Sequence, residues 1–396
     1  MSNTAILATS DKQLLTQADK KCLLAPSLTL PVADGLIWTK YNNVIPAESN
    51  TTSTDGRIPD GTTGKADAQH TYSGSSCILY DGGVYKYYYS TNPGGASTSD
   101  PGITCLATSP DGFTWTKYNN AKLTASDTTG TDGRIPGGTS TKQDNNYAHA
   151  SSVLKVGSTY YLWYMAGKSG VNYSLCLATS TDGLTWTKYN NDAVATRSDS
   201  VCVSGQLHFG NTGRADSVSC QIGTVIYDGG IFKCWYTGYN NSNYRILYAT
   251  SPDGITWTKY NNAIESPSDT TGTDGRIPLG TNGKGDDNWT ATPSVLKING
   301  GYKMWYAGHD GSTARIFHAT SPDGLTWTKY NNVSESPSDT TGTDGRIPLG
   351  TSGKGDSVFV RVPCVIIVGQ NLHMYYQARG SSDAYDIYLA RSIYGA

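Results

Sequence analysis

Aspartates that recur once per repeat are the first candidates for chemistry in this 396-residue chain. Asp144, Asp216, Asp286 and Asp356 each lie nine residues before the central apolar residue of a strand-like segment, and Asp67 is the offset equivalent in the first unit. Paired carboxyl groups can hydrolyse a glycosidic bond, one protonating the leaving oxygen and the other acting as base or nucleophile. Asp67, Asp144 and Asp216 are the catalytic candidates on that ground. The structural alternative makes the same residues caps on exposed strand-end amides. All three glutamates, Glu48, Glu265 and Glu335, follow a Tyr-Asn-Asn motif in equivalent connections, which makes them part of the repeat rather than a uniquely placed acid.

A second set breaks the repeat: His70, Tyr72, Tyr147, His149, Gln221, Trp289 and Arg361. Aromatic faces beside hydrogen-bonding groups suit a sugar, whose apolar ring faces stack while its hydroxyls are satisfied. Simple packing is the alternative for each. A third set is Arg57, Arg134, Arg276 and Arg346, each inside Thr-Asp-Gly-Arg-Ile-Pro (Thr54–Pro59, Thr131–Pro136, Thr273–Pro278, Thr343–Pro348), with a diverged counterpart at Ser204–Gly210. Either Asp-Gly makes a turn, Arg pairs with a nearby Asp and Ile-Pro packs on the blade, or the equivalent loops bind a repeated ligand with avidity. The Asp-rich text (Asp269, Asp274, Asp286) lacks the dense oxygen spacing of a Ca²⁺ loop, so no metal and no cofactor is expected.

Short strands must position these residues. Ser-Pro-Asp-Gly-x-Thr-Trp-Thr-Lys-Tyr-Asn-Asn occurs at Ser109–Asn120, Ser251–Asn262 and Ser321–Asn332. It recurs with Thr181 for Pro at Ser180–Asn191, and in shortened form at Asp34–Asn43. Its tryptophans, Trp38, Trp115, Trp186, Trp257 and Trp327, are spaced by 77, 71, 71 and 70 residues, which marks a repeat architecture. One unit reads as four strands: Pro293–Ile298, an Asn299-Gly300-Gly301 turn, Tyr302–Ala307 with alternating pattern, Arg315–Thr320, a Pro322-Asp323-Gly324 turn, and Leu325–Tyr330. The last unit has three strands, near Val362–Val368, Leu372–Ala378 and Tyr385–Arg391, and Leu36–Tyr41 from the N-terminus supplies the fourth. This predicts an all-β, five-bladed β-propeller of four-stranded antiparallel blades, closed by strand exchange between the termini. Its parts are an arm at 1–33, an outer strand at 34–43, blades at about 67–120, 144–191, 216–262 and 286–332, and the rest of the fifth at 356–396. Tight turns gather on one face; the long blade-to-blade connections and the Asp ring lie on the other.

Composition agrees: 45 Gly, 28 Tyr and only 16% charged residues suit many short strands and tight turns. A net charge of −2 without a basic block argues against nucleic acid as partner, and no apolar run is long enough to insert in a membrane. The start has no basic, then apolar, leader pattern, so the expectation is cytoplasmic synthesis, with assembly into a virion or export without a Sec signal. Eight cysteines form no CxxC pair, and those at equivalent repeat positions (Cys105 with Cys176, Cys77 with Cys364) read as buried free thiols.

The run Pro-Ser-Val-Leu-Lys…Tyr-Lys-Met-Trp-Tyr-Ala-Gly…His-Ala-Thr-Ser-Pro-Asp-Gly-Leu-Thr-Trp resembles the five-bladed propeller superfamily of arabinanases, invertase-like furanosidases and mannoside phosphorylases, from Asp34 to Ser392. Its Pro-Asp-Gly turn is also similar to sialidase Asp boxes, one residue shorter. The resemblance implies inner-strand carboxylates around a funnel, commonly two Asp and one Glu acid. The third unit, Asp216–Asn262, where that Glu would fall, contains none. The resulting expectation is a non-catalytic carbohydrate-binding or adhesion propeller, lectin-like, serving as a structural or receptor-facing phage component. The alternative is a glycoside hydrolase or phosphorylase using funnel aspartates. A glycan or polysaccharide is the expected partner, and the 1–33 arm could dock a protein.

Overall fold

A computed structural model describes residues 33–68, 76–91, 101–168, 172–193, 196–381 and 385–394. The expected 1–33 arm, except Ala33, therefore lies outside the described residues, as do His70 and Tyr72. The described residues form 25 strands in five antiparallel sheets, one per blade. In the fourth blade, counted along the chain, the strands run from the axis outward as Trp289–Ile298, Gly301–His309, Ala314–Ser321 and Trp327–Lys329.

Each sheet carries a fifth strand that the four-strand reading omitted. Two residues of the preceding connection pair outside the Trp-Thr-Lys strand: Thr52–Ser53, Thr129–Gly130, Val201–Cys202, Thr271–Gly272 and Thr341–Gly342. Two residues are too short to show a period in sequence, and only pairing with a distant strand defines them. The second strand also departs from alternation, because positions facing both sides are buried in Gly301–His309. A blade is covered on each face by its neighbours, so its central strands have no wet side.

The ring closes as the sequence predicts. Trp38–Lys40 inserts between Thr341–Gly342 and Tyr385–Ser392, pairing Thr39 with Arg391 and with Thr341. Five aromatic contacts hold blade to blade. Each repeat tryptophan meets, edge to face, the aromatic of the neighbouring blade's second strand: Trp38 with Trp305 (ring centroids 5.7 Å), Trp115 with Tyr375 (5.5 Å), Trp186 with Tyr88 (5.5 Å), Trp257 with Trp163 (5.9 Å) and Trp327 with Trp235 (5.9 Å). All five repeat tryptophans are buried, and T-shaped pairing adds to their burial. Nearer the axis, Ser151 Oγ accepts from Gly223 N, Ser152 Oγ from Val225 N and Ser294 Oγ from Val365 N, tying inner strands of adjacent blades.

The most repeated motif now has a physical account. In Trp186-Thr-Lys-Tyr-Asn-Asn191 the strand alternates, so Trp186 and Lys188 point inward while Tyr189 stays half exposed. Lys188 Nζ lies 2.7 Å from Asp144 Oδ2 and donates to the carbonyls of Ser126 and Pro136. Asn191 Nδ2 and the Tyr164 hydroxyl also donate to Asp144. The same buried set recurs at Asp67–Lys117, Asp216–Lys259, Asp286–Lys329 and Asp356–Lys40. The Ser-x-Asp-Gly turn is local: Asp323 Oδ1 accepts from the amides of Leu325 and Thr326, and Gly324 takes φ of 81°.

Candidate functional site

The inner strands and the starts of the third strands enclose a cavity of about 220 Å³ at one mouth of the central channel. Tyr147, His149, Gln221, Trp289 and Arg361, all chosen in sequence for breaking the repeat, line it together. They come from three blades and from Phe359–Val368 of the fifth, and each sits at the first or third position of its inner strand. Side chains two apart on a strand share a face, and in a propeller the face at this end looks into the channel. Tyr173, Tyr244, Met165 and Thr237 complete much of the wall and were missed. The available signal was an aromatic opening the third strand, at Tyr173–Ser180 and Tyr244–Ser251, just after the connection that shares this mouth.

Bulges aim these residues. The inner-strand register slips between Ala150 and Ser152, Gln221 and Gly223, Ala291 and Ser294, and Arg361 and Cys364. At the last two the extra residue is Thr292 at φ 50° and Val362 at φ 53°, both lining the cavity. A β-branched residue in the left-handed region costs on the order of 1–3 kcal/mol, and such strain gathers at functional sites.

Trp289 stacks on His309 (4.9 Å, 11° between planes), and Tyr244 meets Trp289 edge-on at 6.1 Å. Gln221 Nε2 donates to Ser219 Oγ at 2.9 Å. Arg361 Nε donates to Gln377 Oε1 at 2.9 Å, and its guanidinium lies 5.2 Å from the ring centre of Tyr385. His149 is fully buried with Nε2 3.2 Å from the Thr91 carbonyl, and burial holds its pKa down to about 4, so the ring is neutral near pH 7. A second cavity, of about 330 Å³, shares Tyr147, Tyr173, Gln221 and Tyr244 and adds Lys168 and Asn172. The opposite mouth is different in kind: about 240 Å³ with an apolar wall including Leu154, Ile226, Leu296 and Ile366. None of these three cavities has an Asp or Glu among its described lining residues.

The catalytic candidates sit elsewhere. Asp67, Asp144 and Asp216 are fully buried within their blades, each held by a lysine, an asparagine and a tyrosine, and they line none of the three cavities. They are anchors for the outer strand rather than caps on exposed amides. The loop arginines are likewise turned into the fold. Arg134 Nη2 donates to Asp132 (2.8 Å) and Nη1 to the Ala121 carbonyl (2.7 Å), and Arg57, Arg276 and Arg346 repeat both bonds. Asn119 donates to the same Asp132, and Ile135 is buried. This geometry is that of the loop-building role, and these arginines line none of the three cavities. Among the described residues no cluster of three or more His, Cys, Asp or Glu could hold a metal. The seven described cysteines are buried free thiols, and Cys22 lies outside the described residues.

No protein-family model matches the chain. Two curated relatives, both uncharacterized proteins of Mycobacterium tuberculosis, are 29% identical over 172 residues, 42% of this chain and 48% of theirs. The chain thus spans about half the length of the curated relatives it matches. Among solved structures, a glycoside hydrolase superposes with a TM-score of 0.57 at 14% identity, covering 91% of this chain and 92% of its own. A glycosyl hydrolase from Bacteroides ovatus gives 0.56 at 14% identity over 90% and 95%. An endo-arabinase from Bacteroides thetaiotaomicron gives 0.52 at 15% identity over 88% and 99%. At such identities the likeness is one of fold. The chain has the five-bladed β-propeller fold shared with arabinanase-type glycoside hydrolases.

Proposed function

We propose that the channel mouth lined by Trp289, Tyr147, Gln221 and Arg361 is a glycan-binding site. The observation that carries this reading is convergence. Residues that differ from blade to blade at equivalent inner-strand positions come together in one cavity, with stacked and edge-on aromatics beside side-chain donors. A repeat needs no such variation to close its ring, whereas a sugar needs apolar faces and hydrogen-bonding groups in one place.

Cleavage of the bound glycan is the second reading. The solved relatives of this fold support hydrolysis better than adhesion, and nothing in the comparisons supports a place in a phage particle. The described lining supports retention, because hydrolysis by the common route needs two carboxyl groups flanking the bond. A glycan array followed by a reducing-sugar assay on plant and microbial polysaccharides separates the two. Binding that disappears in Trp289→Ala while the fold persists supports the site. Binding unaffected by Trp289→Ala overturns it, and turnover by the wild type decides for hydrolysis.

A further inference from the structure

We infer that the glycan recognised at this mouth is acidic, carrying a carboxylate that the Arg361 guanidinium pairs; the inference rests on the glycan-site reading above. Arg361 is the sole Arg or Lys lining the 220 Å³ cavity among the described residues, and no described carboxylate lies within ion-pairing distance of it. Its Nε is held by Gln377 Oε1, and the Tyr385 ring lies beside it. Those contacts fix the plane of the fork, while neither Nη has a described hydrogen-bond partner. Arginine offers five donors and no acceptor, and a planar fork matches a carboxylate through two parallel hydrogen bonds.

The rest of the wall points the same way. The adjoining cavity adds Lys168, and the amides of Asn146, Asn172 and Gln221 line it without any carboxylate. A neutral sugar hydroxyl is donor and acceptor together, so a site for neutral sugars gains from strong acceptors. Here charged donors stand without charged acceptors, and a ligand rich in acceptor oxygens restores the balance. Asp287 and Asp310 lie close enough to His309 to act on it, but neither lines a described cavity, and Asp310 already pairs with Arg315 at 2.7 Å. At the position equivalent to Arg361 the fourth blade has Ala291, with the same bulge and a left-handed residue, Thr292, at the position of Val362. The bulge is therefore general, and the cation is particular to the fifth blade. An arginine-bearing bulge, a strained Val362 that fixes its direction and a wall with no Asp or Glu among its described residues together describe a uronate subsite.

The test is calorimetric titration with short oligomers of galacturonate, glucuronate and mannuronate, each beside its methyl ester, which keeps the sugar and removes the charge. The expected result is that one acid binds about 10- to 100-fold more tightly than its ester, as charge-assisted hydrogen bonds imply. Arg361→Gln should erase that ratio, Arg361→Lys should keep part of it, and added NaCl should weaken the acid but not the ester. Melting curves for both variants confirm that they fold. Equal binding of acid and ester, an unchanged ratio in Arg361→Gln, or no acid bound at all overturns the inference. Neutral glycans bound in a Trp289-dependent way without preference for acid would sink the charge and leave the glycan site standing. Acetate or phosphate bound as tightly as uronates, and unaffected by Trp289→Ala, would sink both.

Discussion

Lys40 Nζ lies 2.8 Å from Asp356 Oδ2, with both side chains fully buried, so an ion pair joins residues more than three hundred positions apart at the closure of the ring. Asn43 Nδ2 donates to the same carboxylate, and Lys40 also donates to the carbonyls of Ser338 and Pro348. Four other blades contain the same pair, which makes the closing blade equivalent to the rest although its strands come from both termini.

Breaking such a pair from one side leaves a buried charge without a partner, at a cost of about 3–5 kcal/mol. Asp144→Asn and Lys40→Met should therefore each lower the urea unfolding midpoint strongly, and Asp144→Asn should do so whatever it does to ligand binding. Replacing both members of one pair, Asp144→Leu with Lys188→Met, should recover part of the loss. A full-stability Asp144→Asn protein would contradict the anchoring role.

The aromatic contacts between blades predict that Trp257→Ala lowers stability by about 3–5 kcal/mol, because the cavity it leaves faces Trp163 and cannot collapse inside a closed ring. Denaturant melts of Trp163→Ala, Trp257→Ala and the double variant should show non-additive losses, as residues in contact do.

Asp386 stands where the third strands of the third and fourth blades carry Arg245 and Arg315. Burial, then the nearby Asp60, pushes its pKa up to about 7, against attraction from Arg57 and Lys117 and a hydrogen bond from Tyr388. Its folded pKa lies above the unfolded value near 4, so its contribution to stability is full below about pH 4 and lost as pH rises to 7. Asp386→Asn should gain on the wild type across that window, by up to about 4 kcal/mol at pH 8. His149, with its lowered pKa, works in the opposite sense between about pH 6.5 and 4. The informative quantity is thus the difference between variant and wild type in denaturant melts at each pH, and a flat difference would refute the assignment.

An arginine that repeats and one that breaks the repeat should behave differently. Arg134→Gln removes bonds inside a buried loop and should lower the melting temperature with little effect on ligand affinity. Arg361→Gln loses one hydrogen bond, to Gln377, so it should lower melting less than Arg134→Gln and act mainly on affinity, since its Nη groups have no described protein partner. Thermal melts beside titrations read both.

Much of the fold was legible in the chain because a repeat reports its own structure. Trp, Lys and the second Asn face inward at every recurrence, and a period near 70 with a missing last strand implies a closed ring. Tyr147, His149, Gln221, Trp289 and Arg361 stood out for the converse reason, that they depart from the repeat, and the structure places all five in the wall of one cavity. What holds the Asp ring was not legible, because a carboxylate's role depends on what faces it. Lys188 is 44 residues from Asp144, and no local pattern states that they meet. The same holds for the two-residue edge strands, the bulges before Ser294 and Cys364, and Tyr173 and Tyr244 in the cavity wall. Sequence by itself determined which residues repeat and which do not. Only the tertiary structure decided which of them face water, because burial and pairing are made between blades and not along the chain.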